Sequence, residues 1–270
     1  MQAYSYVDGK WHDGNPPVLG PLSHATWLSG IIFDGARAFE GTTPDLALHC
    51  ERSIRSAKAL GLRAPLTAGE VHELCLEGVR KFPSDAQLYI RPMFFAESGW
   101  IDPDPETTRF MLSVYESPMP DPTGNFRAMI SPYRRPTPES APTDAKASCL
   151  YPNSGRAMRL ARENGFENAV ILDQIGNVAE FATSNLFMVK DGTVMTPIAN
   201  GTFLAGITRA RHMANLAADG TPVVETVLSF DDVRDADEVF LSGNMSKVQA
   251  VTAFDDRHYQ VGPVTKRVRE

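Results

Sequence analysis

Lys146 stands in the run Ser140-Ala-Pro-Thr-Asp-Ala-Lys-Ala-Ser-Cys-Leu-Tyr151, between alanines rather than among polar residues. Small neighbours leave room beside the amine for a flat molecule, and a lysine withdrawn from water becomes a nucleophile toward carbonyl carbon. Glu180 sits in Val178-Ala-Glu-Phe-Ala182, among apolar side chains. A carboxylate buried there needs a cationic or protonated partner, because burying it alone costs several kcal/mol. Gly206-Ile-Thr208 offers backbone N–H groups and a hydroxyl at a predicted helix start, which suits an anion. Ser242-Gly-Asn244 follows an apolar strand and forms a second small, polar turn for the same anion, and Arg52 adds a charge-assisted contact. Each of these has an ordinary reading when taken singly: a solvated lysine, an outward-facing glutamate, a helix start with nothing bound, a surface arginine.

Taken together they fit one ligand. A lysine for an aldehyde, a carboxylate for a pyridinium nitrogen, and two N–H turns with an arginine for a phosphate describe pyridoxal 5'-phosphate. A further pair, Tyr89-Ile-Arg91, places two polar side chains on one face of a predicted strand, since residues i and i+2 point the same way.

The elements that must position these residues follow from periodicity and turn chemistry. Residues 4–14 read as a hairpin about Asp8-Gly9. After His24 to Trp27, the first part of the run from Gly30 to Gly41 suits a helix and residues 36–40 alternate as a strand. Leu46-Ala-Leu-His49 reads as a short strand before a helix that carries Arg52 and ends at Gly61. Thr67 with Glu70 forms a capping box for the next helix, with Val71, Leu74, Cys75 and Val79 on one face. Residues 87–95 and 109–115 are strands. The proline-rich stretch about 118–125 reads as a linker between a domain at 1–117 and one at 126–270. The second half opens with a strand near 126–130 and a proline-rich crossing that delivers Lys146. A helix capped by Asn153 or Ser154 follows, with Ala157, Leu160 and Ala161 on its buried side. Strands at 168–172, 177–181, 185–189 and 193–196 come next, then a helix from Gly206 to Asp219. Strands at 223–226 and 238–241 flank a short helix near 230–234, and the last residues begin another helix.

The composition narrows the function class. A chain of 270 residues is long enough for two cores. Its net charge of −7, without a basic run beyond the short tail at Lys266, Arg267 and Arg269, gives nucleic-acid binding no support. The three cysteines, Cys50, Cys75 and Cys149, are far apart and lack metal-ligand spacing, which points to a reducing compartment and no metal. The N-terminus has neither the basic head nor the apolar core of a signal peptide, and no apolar run reaches membrane-spanning length. These features predict a soluble, cytoplasmic protein.

Thr143-Asp-Ala-Lys146-Ala, Gly176-Asn-Val-Ala-Glu180-Phe-Ala-Thr-Ser-Asn185-Leu-Phe, Phe203-Leu-Ala-Gly206-Ile-Thr208-Arg and Asp237-Glu-Val-Phe-Leu-Ser-Gly243 resemble the class IV aminotransferases. Phe39-Glu-Gly41 and Gly262-Pro-Val-Thr-Lys-Arg267 extend the match over nearly the whole chain, and the nearest likeness is to the branched-chain amino-acid group. The resemblance implies an α+β, two-domain fold type IV architecture, similar to D-amino-acid aminotransferase. A smaller N-terminal α/β domain would precede a larger C-terminal domain of mixed sheet or barrel form. It implies that Lys146 is the Schiff-base lysine, that Glu180 meets the pyridine nitrogen and that Tyr151 meets the phenolic oxygen. Arg52, Ile207, Thr208, Gly243 and Asn244 would hold the phosphate, with Leu204 against the ring. On the substrate side it implies Tyr89, Asn244 and Met245 for the α-carboxylate and Arg91 for the distal carboxylate of glutamate. Phe33 and Phe39 would form an apolar wall.

The chain departs from the group where tyrosine is usual and it has Phe33, and where Gly-Thr-Ala is usual and it has Gly243-Asn-Met245. The resemblance implies transfer of the amino group of Leu, Ile or Val to 2-oxoglutarate by a homodimer, the loop near 101–108 reaching the partner's pocket. Sibling activities of the fold are D-amino-acid or (R)-amine transamination and aminodeoxychorismate lysis.

Overall fold

The computed structural model describes residues 1–122 and 124–270; Thr123, inside the expected linker, lies outside the described residues. Two compact units emerge: residues 1–119 with 144–150, and residues 120–143 with 151–270.

In the first unit, β1 (Ala3–Val7) and β2 (Lys10–Asp13) meet at Asp8 and Gly9. Their φ angles of 49° and 79° form the left-handed pair that a two-residue hairpin between twisted strands requires. The chain continues through α1 (His24–Trp27), β3 (Ile31–Phe33), β4 (Ala36–Ala38), α2 (Leu46–Ala59), α3 (Ala68–Val79), β5 (Leu88–Ala96) and β6 (Thr108–Glu116). The strands make one antiparallel sheet ordered β2-β1-β6-β5-β3, with β4 also on β5. One face is apolar: Leu88, Ile90, Phe94, Leu112 and Val114 are buried in a core shared with Leu46, Cys50 and Ala57 of α2 and Val71 and Cys75 of α3. The other face carries Tyr89, Arg91 and Tyr115, so strand alternation separates the stabilising residues from the chemical ones.

Residues 46–49 correct the sequence expectation. They are the first turn of α2, not a strand. Asp45 turns the chain with a left-handed φ of 57°, and the buried set Leu46, His49, Cys50, Ser53 and Ala57 has helical spacing that a four-residue window cannot reveal. The Thr67–Glu70 capping box starts α3 as expected.

The second unit contains β7 (Arg127–Arg134), α4 (Tyr151–Glu163), β8 (Asn168–Leu172), β9 (Val178–Phe181), β10 (Asn185–Lys190), β11 (Thr193–Pro197) and α5 (Ile207–Ala218). After these come β12 (Val223–Thr226), α6 (Phe230–Arg234), β13 (Glu238–Gly243), β14 (Lys247–Ala250), β15 (Ala253–Phe254), β16 (Arg257–His258) and α7 (Pro263–Arg269). Two five-stranded sheets result, ordered β12-β11-β10-β13-β14 and β16-β15-β7-β8-β9. Both mix parallel and antiparallel pairs. A core of Val170, Phe181, Leu186, Met188, Val239 and Leu241 draws on strands of both sheets.

Neither Asn153 nor Ser154 caps α4, which begins at Tyr151. Pro152 fits the first turn, where its missing N–H would be unused, and Asn153 instead donates from Nδ2 to the Arg134 carbonyl at 2.9 Å. Glu238 anchors α7 by accepting from the Thr265 N–H at 2.8 Å and the Thr265 hydroxyl at 2.7 Å. Among the described residues no helix is long and apolar enough to cross a membrane.

Candidate active site

Lys146 reaches its place through backbone pairing. The Phe33 N–H donates to the Lys146 carbonyl at 3.2 Å, Ile32 and Ala147 form an antiparallel bridge, and the Lys146 N–H donates to Ser56 Oγ at 3.0 Å. Ala145 and Ala147 are buried while Lys146 is half-buried, so the chain is fixed on either side of the amine. Nζ lies 5.0 Å from the Phe33 ring centroid, within cation–π range.

On the same sheet, Tyr89 and Arg91 share the face away from the helices, opposite Tyr115 and Ser113 of β6. The Arg91 guanidinium carbon is 5.5 Å from the Tyr89 ring centroid and 5.1 Å from that of Tyr115, and Nη2 donates to the Tyr115 hydroxyl. Two aromatic faces thus orient a planar cation. Tyr89 needs a glycine beside it: a Cβ on Gly35 would come within 2.0 Å of the Tyr89 hydroxyl. Arg37, directly across from Tyr89 on β4, is fully buried and donates to the Ser117 carbonyl at 2.6 Å; burial lowers its pKa. Phe39 is half-buried in the turn after β4, its N–H donating to the Thr42 carbonyl at 3.1 Å.

Arg52 projects from α2 and is buried. Its Nε and Nη2 donate to the two oxygens of Asp34 at 2.7 and 2.8 Å, and His49 Nδ1 donates to the same carboxylate at 2.7 Å. Burial alone would raise the Asp34 pKa, but Arg52 and His49 outweigh it and hold the carboxyl well below the usual carboxylate range. Because the folded value lies below the unfolded one, the stability it contributes is present above about pH 5 and is lost as acid protonates the group. Asp34→Asn should therefore lose about 3 kcal/mol at neutral pH, yet show a shallower fall in urea-unfolding stability between about pH 5 and pH 3 than the unmodified protein. An unchanged acid slope would remove Asp34 from the acid response.

In the second unit, Glu180 on β9 is buried, and its Oε1 lies 3.3 Å from Arg135 Nε. That nitrogen also donates to the Thr202 carbonyl at 3.1 Å. Asn185 Nδ2 lies 3.4 Å from Glu180 Oε2 and donates to the Leu204 carbonyl at 3.1 Å, tying the glutamate to the loop that leads into α5. Leu204 and Ile207 are half-buried in and after that loop, and Thr208 is buried in the first turn of α5. Gly243, at the end of β13, packs against Ser184, and in the turn that follows Asn244 is half-buried whereas Met245 is exposed. Tyr151 opens α4, half-buried.

Two buried polar atoms at this turn, Ser184 Oγ and Asn244 Nδ2, have no hydrogen-bond partner among the described residues. Buried polar groups are rarely left so. A hydroxyl and an amide N–H₂ fit the donor set of a phosphate group.

The chain matches the family described as Amino-transferase class IV over residues 31–254. It belongs to the class IV aminotransferases. This aminotransferase is 47% identical in sequence to an aminotransferase from Brucella abortus solved with the co-factor PLP, with a TM-score of 0.97 over 100% of this chain and 97% of that one. The branched-chain amino acid aminotransferase of Escherichia coli superimposes with a TM-score of 0.93 at 29% identity, covering 100% of this chain and 93% of that one. A probable branched-chain-amino-acid aminotransferase of Rickettsia bellii is 31% identical over 258 residues, covering 93% of this chain and 87% of that protein. The expected α+β, type IV aminotransferase fold is the one observed.

Several residues that hold the candidate side chains of this class IV aminotransferase in place within their own units escaped the sequence reading. Asp34 had a usable signal, an acid inside an apolar run, the same anomaly that drew attention to Glu180. Tyr115, Arg135, Asn185, Ser184 and Lys247 carried none, because their partners are set by strand register and loop closure.

Proposed function

We propose that this aminotransferase moves the amino group of a branched-chain L-amino acid to 2-oxoglutarate with the help of pyridoxal 5'-phosphate. The observation that carries the reading is the setting of Arg91: a guanidinium held between Tyr89 and Tyr115 on a sheet face whose neighbouring cross-strand pair is Met93 and Met111. An arginine fork receives a carboxylate, and apolar neighbours receive an uncharged branched side chain. Both are needed by an enzyme that alternates between leucine and glutamate.

When bound, the cofactor supplies an aldehyde that takes up the amino group and a ring that acidifies the substrate's Cα. Lys146 would carry that aldehyde at rest and, once displaced, hold and return the proton at Cα. Glu180 would keep the ring nitrogen protonated, its own position fixed by Arg135 and Asn185. Tyr151 would donate to the phenolic oxygen, and Leu204 would lie against the ring. Arg52, Ile207, Thr208, Gly243 and Asn244 would bind the phosphate. Tyr89, with the Asn244 and Met245 amides, would receive the α-carboxylate, and Phe33 and Phe39 would close the apolar wall.

The reading includes a cytoplasmic homodimer. It is supported by exposed apolar side chains at Leu22, Trp27, Trp100 and Ile101, with the two indoles 5.7 Å apart, and by free cysteines. Sedimentation should give twice the chain mass.

Half-reaction spectra with L-leucine, L-glutamate, D-alanine and (R)-1-phenylethylamine test the activity. The first two should convert the cofactor at least about tenfold faster than the others, the range expected for differential binding of side chains. Faster conversion by D-alanine or the amine, or pyruvate release from aminodeoxychorismate, would assign a sibling reaction instead.

A further inference from the structure

Lys247 closes the β13–β14 hairpin opposite Gly243, in a left-handed conformation with φ of 58°. Its ammonium turns back over the three-residue turn and donates to Asn244 Oδ1 at 2.7 Å. An ammonium has three donors and no acceptor, so only the oxygen end of an amide can face it. That contact decides which way the Asn244 amide points. It leaves Nδ2 on the buried side, where it has no partner among the described residues.

Ser184 stands beside the same turn. A Cβ on Gly243 would lie 2.8 Å from the Ser184 Cβ, and Ser184 Oγ is the second buried atom without a partner. Two donors thus converge on one turn.

We propose that Lys247 is a positioning residue for anion binding: it locks the Asn244 amide with N–H₂ inward, so that Nδ2 and Ser184 Oγ both donate to the phosphate of the cofactor. The inference rests on the pyridoxal phosphate reading above. An asparagine alone would be a poor phosphate ligand, because its two ends are nearly the same size and its oxygen would repel the anion. The lysine removes that ambiguity and adds positive charge to the turn.

The test titrates cofactor-free protein with pyridoxal 5'-phosphate and with pyridoxal, read by absorbance. Lys247→Met and Asn244→Ala should each weaken the phosphorylated ligand about tenfold, the worth of a charge-assisted hydrogen bond, and leave pyridoxal unchanged. Ser184→Ala should behave in the same way. Lys247→Arg, which keeps a donor, should restore most of the affinity. In the Asn244→Ala background Lys247→Met should cost nothing further, because the lysine acts through the amide. An equal loss in that background would show that Lys247 acts by charge alone and would overturn the proposal. Unaltered affinity in Lys247→Met, or equal losses for both ligands, would overturn it too. If the unmodified protein binds neither ligand, the cofactor reading itself fails and this inference falls with it.

Discussion

Lys146→Ala is expected to lower steady-state transamination by about four orders of magnitude, the upper range for removing a positioned proton-transfer group. The substitution leaves the supporting structure in place. Two contacts that fix residue 146 are made by its backbone, from Phe33 N–H to its carbonyl and from its own N–H to Ser56, and both survive loss of the side chain. Loss of activity would therefore report lost chemistry and not lost fold, which circular dichroism of the variant would confirm. Lys146→Arg should not rescue, because a guanidinium stays protonated and is no nucleophile. Borohydride treatment of the unmodified enzyme followed by peptide mass mapping should find the cofactor on Lys146. An adduct on another lysine would sink the assignment.

Arg91→Ala should separate the two half-reactions. The glutamate or 2-oxoglutarate side should fall by about two orders of magnitude or more, since breaking a buried charge pair on one side costs roughly 3–5 kcal/mol. The leucine side should change far less, because its side chain brings no charge to be met. Arg91→Lys should keep part of the glutamate rate, as a point charge replaces a fork. Single-turnover measurements with each amino acid decide the matter. Equal losses with both would make Arg91 scaffolding for Tyr89 and Tyr115, and the branched-chain reading would lose its main support.

What the sequence made legible was local. Asp8-Gly9, the Thr67–Glu70 box and the Gly206 helix start are encoded within a few residues, and each forms where its chemistry requires. The Tyr89-x-Arg91 spacing does put both side chains on one sheet face, because strand geometry leaves no alternative. What escaped depends on distant partners. Leu46-Ala-Leu-His49 looks extended until Cys50, Ser53 and Ala57 show the helical stripe it begins. The clasp of Asp34 on Arg52 joins a loop to a helix across 18 positions, and no short window around either residue contains the other. The strands Lys247–Ala250, Ala253–Phe254 and Arg257–His258 are short and lack a clear alternating pattern, so they become strands only once β13 and β7 offer edges.

The excursion of residues 144–150 into the first unit carries a consequence for how the molecule assembles during synthesis. Ala145, Ala147 and Leu150 complete a core otherwise built by residues before 119. As the chain leaves the ribosome, that core must wait for a segment that follows the opening of the next unit, and closing so long a loop costs entropy before the contact rewards it. An N-terminal fragment ending at 119 would thus emerge with an uncovered apolar seam along Ile32, prone to self-association. The proposed nucleophile and the final stitch of the first core share one short segment, so a chain whose first unit has matured already has its lysine in place.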